Sequence, residues 1–432
     1  MRTYNLLGKF NIRQSLLGKI QKDYERFAEE GTPDNIEEYI LKEYKVDISS
    51  RYGKMRIKNP FGIASGQLST NLSQIESSIN QGIGFIVLKT VISQDEAGNS
   101  TMDAWKINEP KMIVEEILSK RGEKGNTVTW KGRGWHKSFE DYLEFMAQSL
   151  KLGKTKNIPI IPSCKFNLPA SKEEAFNEAE YAYTIKKLFK VWNENTDSCP
   201  MHLEKDFSPT LAGSDMSKNK ETILWWLNKV PTIIKKFAEK EQLYLGVKLM
   251  NAAFEDDFQL ELLKAIMCKE DSNVDYLICF NRLFDFGKIF EGKKGVAYGG
   301  FDLSDRNLKA LTEIRVLEQA SGVEVKNMPI SATGNIQSGR MMLEYALRGC
   351  ENGQLHTYFQ VPDKNYKMKK GGRISKAMHE LIFNPQDGLL AGLIYLNEKG
   401  LLENQKDIIK FYDVVELYKK HNLFDNWDGD II

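Results

Sequence analysis

The chain has 432 residues, 41% hydrophobic and 28% charged, which fits a globular soluble protein within reach of a single large barrel with insertions. Lys+Arg number 60 against 59 Asp+Glu, so bulk charge favours neither nucleic acid nor an anionic membrane surface as partner. No run of about 18 apolar residues is present, and the opening Met1-Arg2-Thr3-Tyr4-Asn5 has no apolar signal core, so a cytoplasmic protein without a membrane span is expected.

Residues 1–50 read as an N-terminal helical extension. Pro33-Asp34 is a helix-start signal, and Ile36, Tyr39 and Ile40 fall on one helical face. From 51 to 365, short apolar runs alternate with longer helical patterns. The runs are 61–64, 84–89, 158–163, 188–192, 243–248, 276–281, 329–333 and, weakest, 353–357. Helical patterns cover 171–187, 220–240, 305–320 and 338–348. The runs do not alternate cleanly between apolar and polar, as expected for strands buried on both faces. Strand, loop and helix repeated about eight times predicts an α/β fold, a (β/α)8 TIM barrel. The loops 90–137, 194–219 and 282–304 each follow a predicted strand, so all would rise at one face and build or cover a pocket. Residues 366–432 read as a C-terminal helical extension packed on the barrel, with Gly371-Gly372 as a turn and Asn384-Pro385 as a break.

The cysteines, Cys164, Cys199, Cys268, Cys279 and Cys350, are odd in number and lack CxxC spacing, and the histidines show no HExxH. Neither a disulfide framework nor a metal site is expected. Cys199 stands in Asp197-Ser198-Cys199-Pro200, directly after the run 188–192. On a loop leaving a strand, a thiol is placed to move a proton at an acidic C–H bond; a cysteine beside a proline is also ordinary packing. Gly299-Gly300, Gly334-Asn335-Ile336 and Gln354 to Thr357 lie where a barrel binds phosphate, after its last strands and before helices. Lys89 and Lys248 each end an apolar run, where they either snorkel to solvent or face the electron-rich edge of a ligand. Asn281 ends the sixth run, ready to bond a planar polar substrate or to cap a turn.

Asn59-Pro60-Phe61-Gly62-Ile63-Ala64-Ser65-Gly66 resembles the first-strand signature of the dihydroorotate dehydrogenases and the related dihydropyrimidine dehydrogenase barrel. Leu88-Lys89-Thr90 with Gly98-Asn99, Ser198-Cys199-Pro200, Lys248, Phe280-Asn281, Gly299-Gly300, Gly334-Asn335-Ile336 and His356-Thr357 then follow in that family's order, over roughly residues 45 to 365. The resemblance implies an FMN-dependent oxidoreductase acting on a C–C bond next to a carbonyl, with pyrimidine dihydro-compounds the nearest substrates. It implies Ala64, Ser65 and Gly66 along the isoalloxazine and Lys89, Thr90, Lys248 and Phe280 at the ring or ribityl. Gly300, Gly334, Asn335, His356 and Thr357 would hold the phosphate. Cys199 would be the acid/base, in the branch that uses cysteine rather than serine, and Lys89, Thr129, Thr196 and Asn281 would meet the substrate.

Departures accompany the resemblance. Thr196 and Met201 stand where the family's catalytic loop has asparagines, Thr129-Trp130-Lys131-Gly132-Arg133 replaces the substrate loop, and Asn335 and His356 replace glycines. The flavin frame is kept and the orotate-reading amides are lost, which points away from orotate. Trp130, Arg133 and Trp135 either meet an aromatic or anionic ligand or anchor the long loop. Two other readings stay open: a flavin-binding barrel without dehydrogenase activity, and a phosphate-binding aldolase or isomerase barrel with Lys248 as Schiff-base residue. With no CxxC clusters and no GxGxxG after a strand, electrons are expected to pass to or from a small molecule or a separate protein. A homodimer is the expected assembly of such a barrel.

Overall fold

The computed structural model describes residues 4–103, 111–118, 124–131, 134–197, 200–207, 219–238, 241–290, 293–299, 302–320, 324–402, 407–421 and 423–424. Helix α1 (Gln14–Glu30) turns Ile20, Asp23 and Phe27 inward at helical spacing. Helix α2 (Ile36–Tyr44) does the same with Ile36, Ile40 and Tyr44, and its start is set by Asn35, whose side chain accepts from the Glu38 N–H. The Asp23 carboxylate ties the two helices by accepting from the Tyr39 and Tyr44 hydroxyls at 2.6 and 2.7 Å.

The centre of the mixed α/β fold is a large curled parallel sheet of ten strands. In chain order these are β1 (Phe61–Ile63), β2 (Phe85–Val87), β3 (Val91–Ile92), β4 (Ile160–Ile161), β5 (Ser163–Lys165), β6 (Met201–Asp206), β7 (Leu243–Met250), β8 (Tyr276–Asn281), β9 (Ile330–Thr333) and β10 (Cys350–Leu355). Their order in the sheet is β3-β5-β6-β7-β8-β9-β10-β1-β2-β4. Helices α3 (Leu72–Asn80), α4 (Phe139–Lys156), α5 (Glu178–Asn195), α6 (Lys220–Lys236), α7 (Asp256–Met267) and α8 (Asp302–Gln319) each touch the next. Helix α9 (Gly339–Ala346) packs on β10. Helices α10 (Arg373–Phe383), α11 (Leu389–Glu398) and α12 (Phe411–Lys420) follow, with α10 against α1 and residues 409–410 paired in parallel with 46–47. Among the described residues no helix is long and apolar enough to cross a membrane.

One expected strand is corrected. The run 188–192 lies inside α5, where Tyr181, Ile185, Leu188 and Trp192 are buried at spacings of a helix, not a strand. The strand is β6, which begins after the Asp197–Pro200 run and not before it. Its sequence, Met-His-Leu-Glu-Lys-Asp, ends in three charged residues, and every one of its residues is buried. Apolar content alone therefore hid it.

Strand side chains sort into two cores. Phe85, Val87, Ile161, Tyr276 and Ile278 join Tyr52 and Ile57 in an inner cluster, while Ile86, Leu88, Ile160, Leu277 and Cys279 belong to the outer layer under the helices. Gly62 lies on the inner side because a Cβ there would overlap the Phe85 ring. The hairpin of residues 50–52 and 55–57 packs at the amino ends of the strands, with the Tyr52 ring 4.8 Å from Phe85 and 5.4 Å from Tyr276. Two further hairpins, Lys111–Leu118 with Lys124–Lys131 and Leu283–Phe290 with Lys293–Tyr298, grow from the loops after β3 and β8. Segment 293–298 touches segment 124–131, which touches the turn Thr357–Gln360 after β10. The long loops thus meet over the carboxyl ends of the strands.

Candidate functional site

The carboxyl ends of β2, β5, β6, β7 and β8 bring charged side chains together under these hairpins, with the Gln354 amide of β10 among them. Lys89, just past β2, is almost wholly buried, and its N–H donates to Ser69 O at 3.0 Å. Lys165 ends β5 with its ammonium 3.5 Å from the Asp206 carboxylate at the end of β6. Lys248 on β7 donates to Gln354 Oε1 on β10 at 3.3 Å and lies 4.0 Å from Glu204 Oε2 on β6. Arg282 follows β8 and donates to Ala297 O of the second hairpin at 3.4 Å.

These cations repel one another in a setting of low polarity. Burial pulls Lys89 down from the ordinary 10.5 to about 8; Asp206 opposes this, and Lys165, Arg282 and Lys248 add to it. Burial pulls Arg282 down to about 9. The His356 imidazole is held well below its ordinary range, first by burial and then by Arg282, Lys89 and Lys248. The ring is therefore neutral, and its Nε2 accepts from the Gln67 N–H at 3.1 Å. Burial raises Glu204, although Lys248 and the hydrogen bonds from Tyr52 and Gln354 oppose it. Among the described residues, Lys89, Lys165, Lys205, Lys248 and Arg282 thus gather near Asp206 and Glu204, a cationic setting suited to an anionic ligand.

The other residues singled out in the sequence divide into groups. Ala64 N donates to Leu355 O at 2.9 Å, extending the β1–β10 pairing. Ser65 Oγ lies 2.8 Å from Thr90 Oγ1, which lies 3.0 Å from Ser163 Oγ, so three hydroxyls link the segments after β1 and β2 to the start of β5. Gly66 lets the His356 ring approach, since a Cβ would sit 2.5 Å from its Cδ2. Thr357 begins the turn after His356.

Gly334 has φ +101°, and a Cβ there would lie 2.7 Å from Asn307 Nδ2, which donates to Phe280 O and Thr333 O at 3.2 and 3.0 Å. Asn335, at φ 55°, donates to Ser304 Oγ at 2.9 Å. Asn281 O accepts from Asn251 Nδ2 at 2.6 Å. All of these lie at the carboxyl ends of strands. Thr196 does not: it ends α5, donates to Trp192 O at 3.0 Å, and precedes the amino end of β6. Thr129 pairs with Ile113 inside the first hairpin. Cys199, Gly300 and Arg133 lie outside the described residues. Trp135 stacks on Phe145 at 5.2 Å and donates to Ser138 O at 2.9 Å, so it anchors its loop.

Sequence reasoning passed over Lys165, Glu204, Asp206 and Arg282, and took Gln354 only as part of a phosphate-binding segment. Lys165 carried the signal that singled out Lys89 and Lys248, a lysine ending an apolar run. Glu204 and Asp206 were lost with the strand that holds them. Among the described residues no group of three His, Cys, Asp or Glu side chains is placed to hold a metal ion. No protein-family model and no curated protein sequence matches the chain.

Proposed function

We propose that the chain is an FMN-dependent oxidoreductase of the dihydroorotate dehydrogenase-like class, built on a closed (β/α)8 barrel. Closure is supported by the pairing at the two ends of the sheet order. Strands β2 and β3 are pieces of one run, 85–92, and β4 and β5 are pieces of another, 160–165; β2 pairs with β4 and β3 with β5. Counting each run once leaves eight strands in a ring, with β10 paired to β1.

The observation that carries the functional reading is the gathering of Lys89, Lys165, Lys248 and Arg282 at the strand ends among the described residues. The donor set fits a flavin nucleotide, which has an electron-rich ring edge and a phosphate. Lys89 and Lys248 would hold the ring edge, Ala64, Ser65 and Gly66 would lie along its face, and Gly300, Gly334, Asn335, His356 and Thr357 would hold the phosphate. The chemistry supplied by the bound cofactor is hydride exchange with a carbon next to a carbonyl. Lys165, Asp206 and Arg282 would orient an anionic substrate beside it, and the two hairpins would exclude water.

The argument for Cys199 as acid/base set it on a loop after a strand; Cys199 precedes β6 in the chain and lies outside the described residues, as does Ser208 in the run Phe207-Ser208-Pro209 that follows β6, so the proton-transfer step is assigned to neither. Titration of flavin-free protein with FMN, followed by flavin fluorescence, tests the binding reading. Saturable quenching that is lost in Lys89→Met supports it, and no quenching in the unmodified protein rejects it.

A further inference from the structure

Lys248 is held from beneath by a chain of polar groups that runs to the base of the sheet. Its ammonium donates to Gln354 Oε1 at 3.3 Å. The same amide donates through Nε2 to Glu204 Oε1, which also accepts from the Tyr52 hydroxyl of the amino-end hairpin. Glu204 is completely buried. Its Oε2 has no hydrogen-bond partner and lies 4.0 Å from the Lys248 ammonium. A carboxylate in the middle of a strand interior is costly unless a charge faces it, and Lys248 is that charge. With Oε1 occupied by two donors, Gln354 is fixed in the orientation that presents its oxygen to the lysine.

We propose that Glu204 is a positioning residue for Lys248, fixing through Gln354 the point at which the ammonium meets an anionic ligand; the inference rests on the cofactor reading of the mouth. Glu204 is completely buried, and its hydrogen bonds and ion pair go to Tyr52, Gln354 and Lys248. Its effect on ligand binding should therefore pass through Lys248 alone.

The test is a double-variant cycle on FMN affinity, with Glu204→Gln, Lys248→Met and the combination. Glu204→Gln is expected to weaken FMN about tenfold, the scale of one charge-assisted hydrogen bond. In the Lys248→Met background the same change is expected to leave affinity unchanged. Equal weakening in both backgrounds would show a general structural role and overturn the proposal. If Glu204→Gln does not fold, Gln354→Leu removes the bridge and is read in the same cycle. A second readout does not need flavin: acetylation of Lys248 by acetic anhydride, measured by peptide mass, should be several-fold faster in Glu204→Gln. An unchanged rate overturns the positioning role even where FMN binds. A faster rate in a protein that binds no FMN upholds the positioning and rejects the cofactor.

Discussion

Replacing Lys89 by methionine should make the flavin-free protein more stable while removing its ligand. Methionine matches the lysine stem in length and carries no charge. The ammonium is almost wholly buried and is pulled from the ordinary 10.5 to about 8 by desolvation and by Lys165, Arg282 and Lys248. At about 1.4 kcal/mol per pH unit, that difference corresponds to about 3 kcal/mol of penalty on the folded state whenever Lys89 is charged. The sign follows from proton counting. Between pH 8 and 10.5 the unfolded chain binds the proton and the folded one does not, so stability rises with pH across that window. The penalty is complete below about pH 8 and gone above 10.5. Urea unfolding in a buffer of low anion content should therefore show Lys89→Met ahead of the unmodified protein by about 1–3 kcal/mol at pH 7, the range allowing for partial relaxation, and level with it at pH 10.5. A variant less stable at pH 7, or a difference that does not change with pH, would refute the picture of mutually repelling cations at the strand ends.

Other consequences follow from the same geometry. Cys199→Ala and Ser208→Ala separate the two proton-transfer candidates in steady-state assays of the flavin-loaded enzyme: loss of most turnover in one variant alone assigns the role to that residue, and loss in neither rejects both. Glu351, at the amino end of β10 and hydrogen-bonded to the Tyr412 hydroxyl, is raised to about 7 chiefly by burial. Its folded form holds a proton that the unfolded chain releases between pH 4.5 and 7, so stability falls as pH rises through that window. Glu351→Gln should accordingly stabilise the protein at pH 8 and change little at pH 4.5, read by urea midpoints. Gly62→Ala forces a Cβ into the Phe85 ring and should cost about 1–3 kcal/mol, part of which Phe85→Leu restores. Without such recovery the inner packing is wrongly described.

Much of the fold was legible because parallel strands buried on both faces leave dense apolar runs. Residues 61–64, 84–89, 243–248, 276–281 and 329–333 overlap β1, β2, β7, β8 and β9 for that reason. The failure at 188–192 has a physical cause. Leu188 and Trp192 are one helical turn apart, and five residues are too few to separate that pattern from a strand. The true strand, β6, was hidden because its charges are satisfied inside the sheet, Glu204 by Tyr52, Gln354 and Lys248, and Asp206 by Lys165. Partners on other strands, Tyr52 and Gln354 among them at more than a hundred residues' distance, cannot be read from local composition. The same limit explains why Lys89 and Lys248 were singled out while the carboxylates that face them were not. Trp135, whose role the sequence left open between ligand and anchor, is settled by its stack on Phe145.

The central claim is a flavin nucleotide at the mouth of this sheet. It is tested most directly by the visible absorption spectrum of the protein as purified, with the released chromophore weighed by mass spectrometry. The account predicts flavin bands and the mass of FMN. A colourless protein that takes up no added FMN would contradict it.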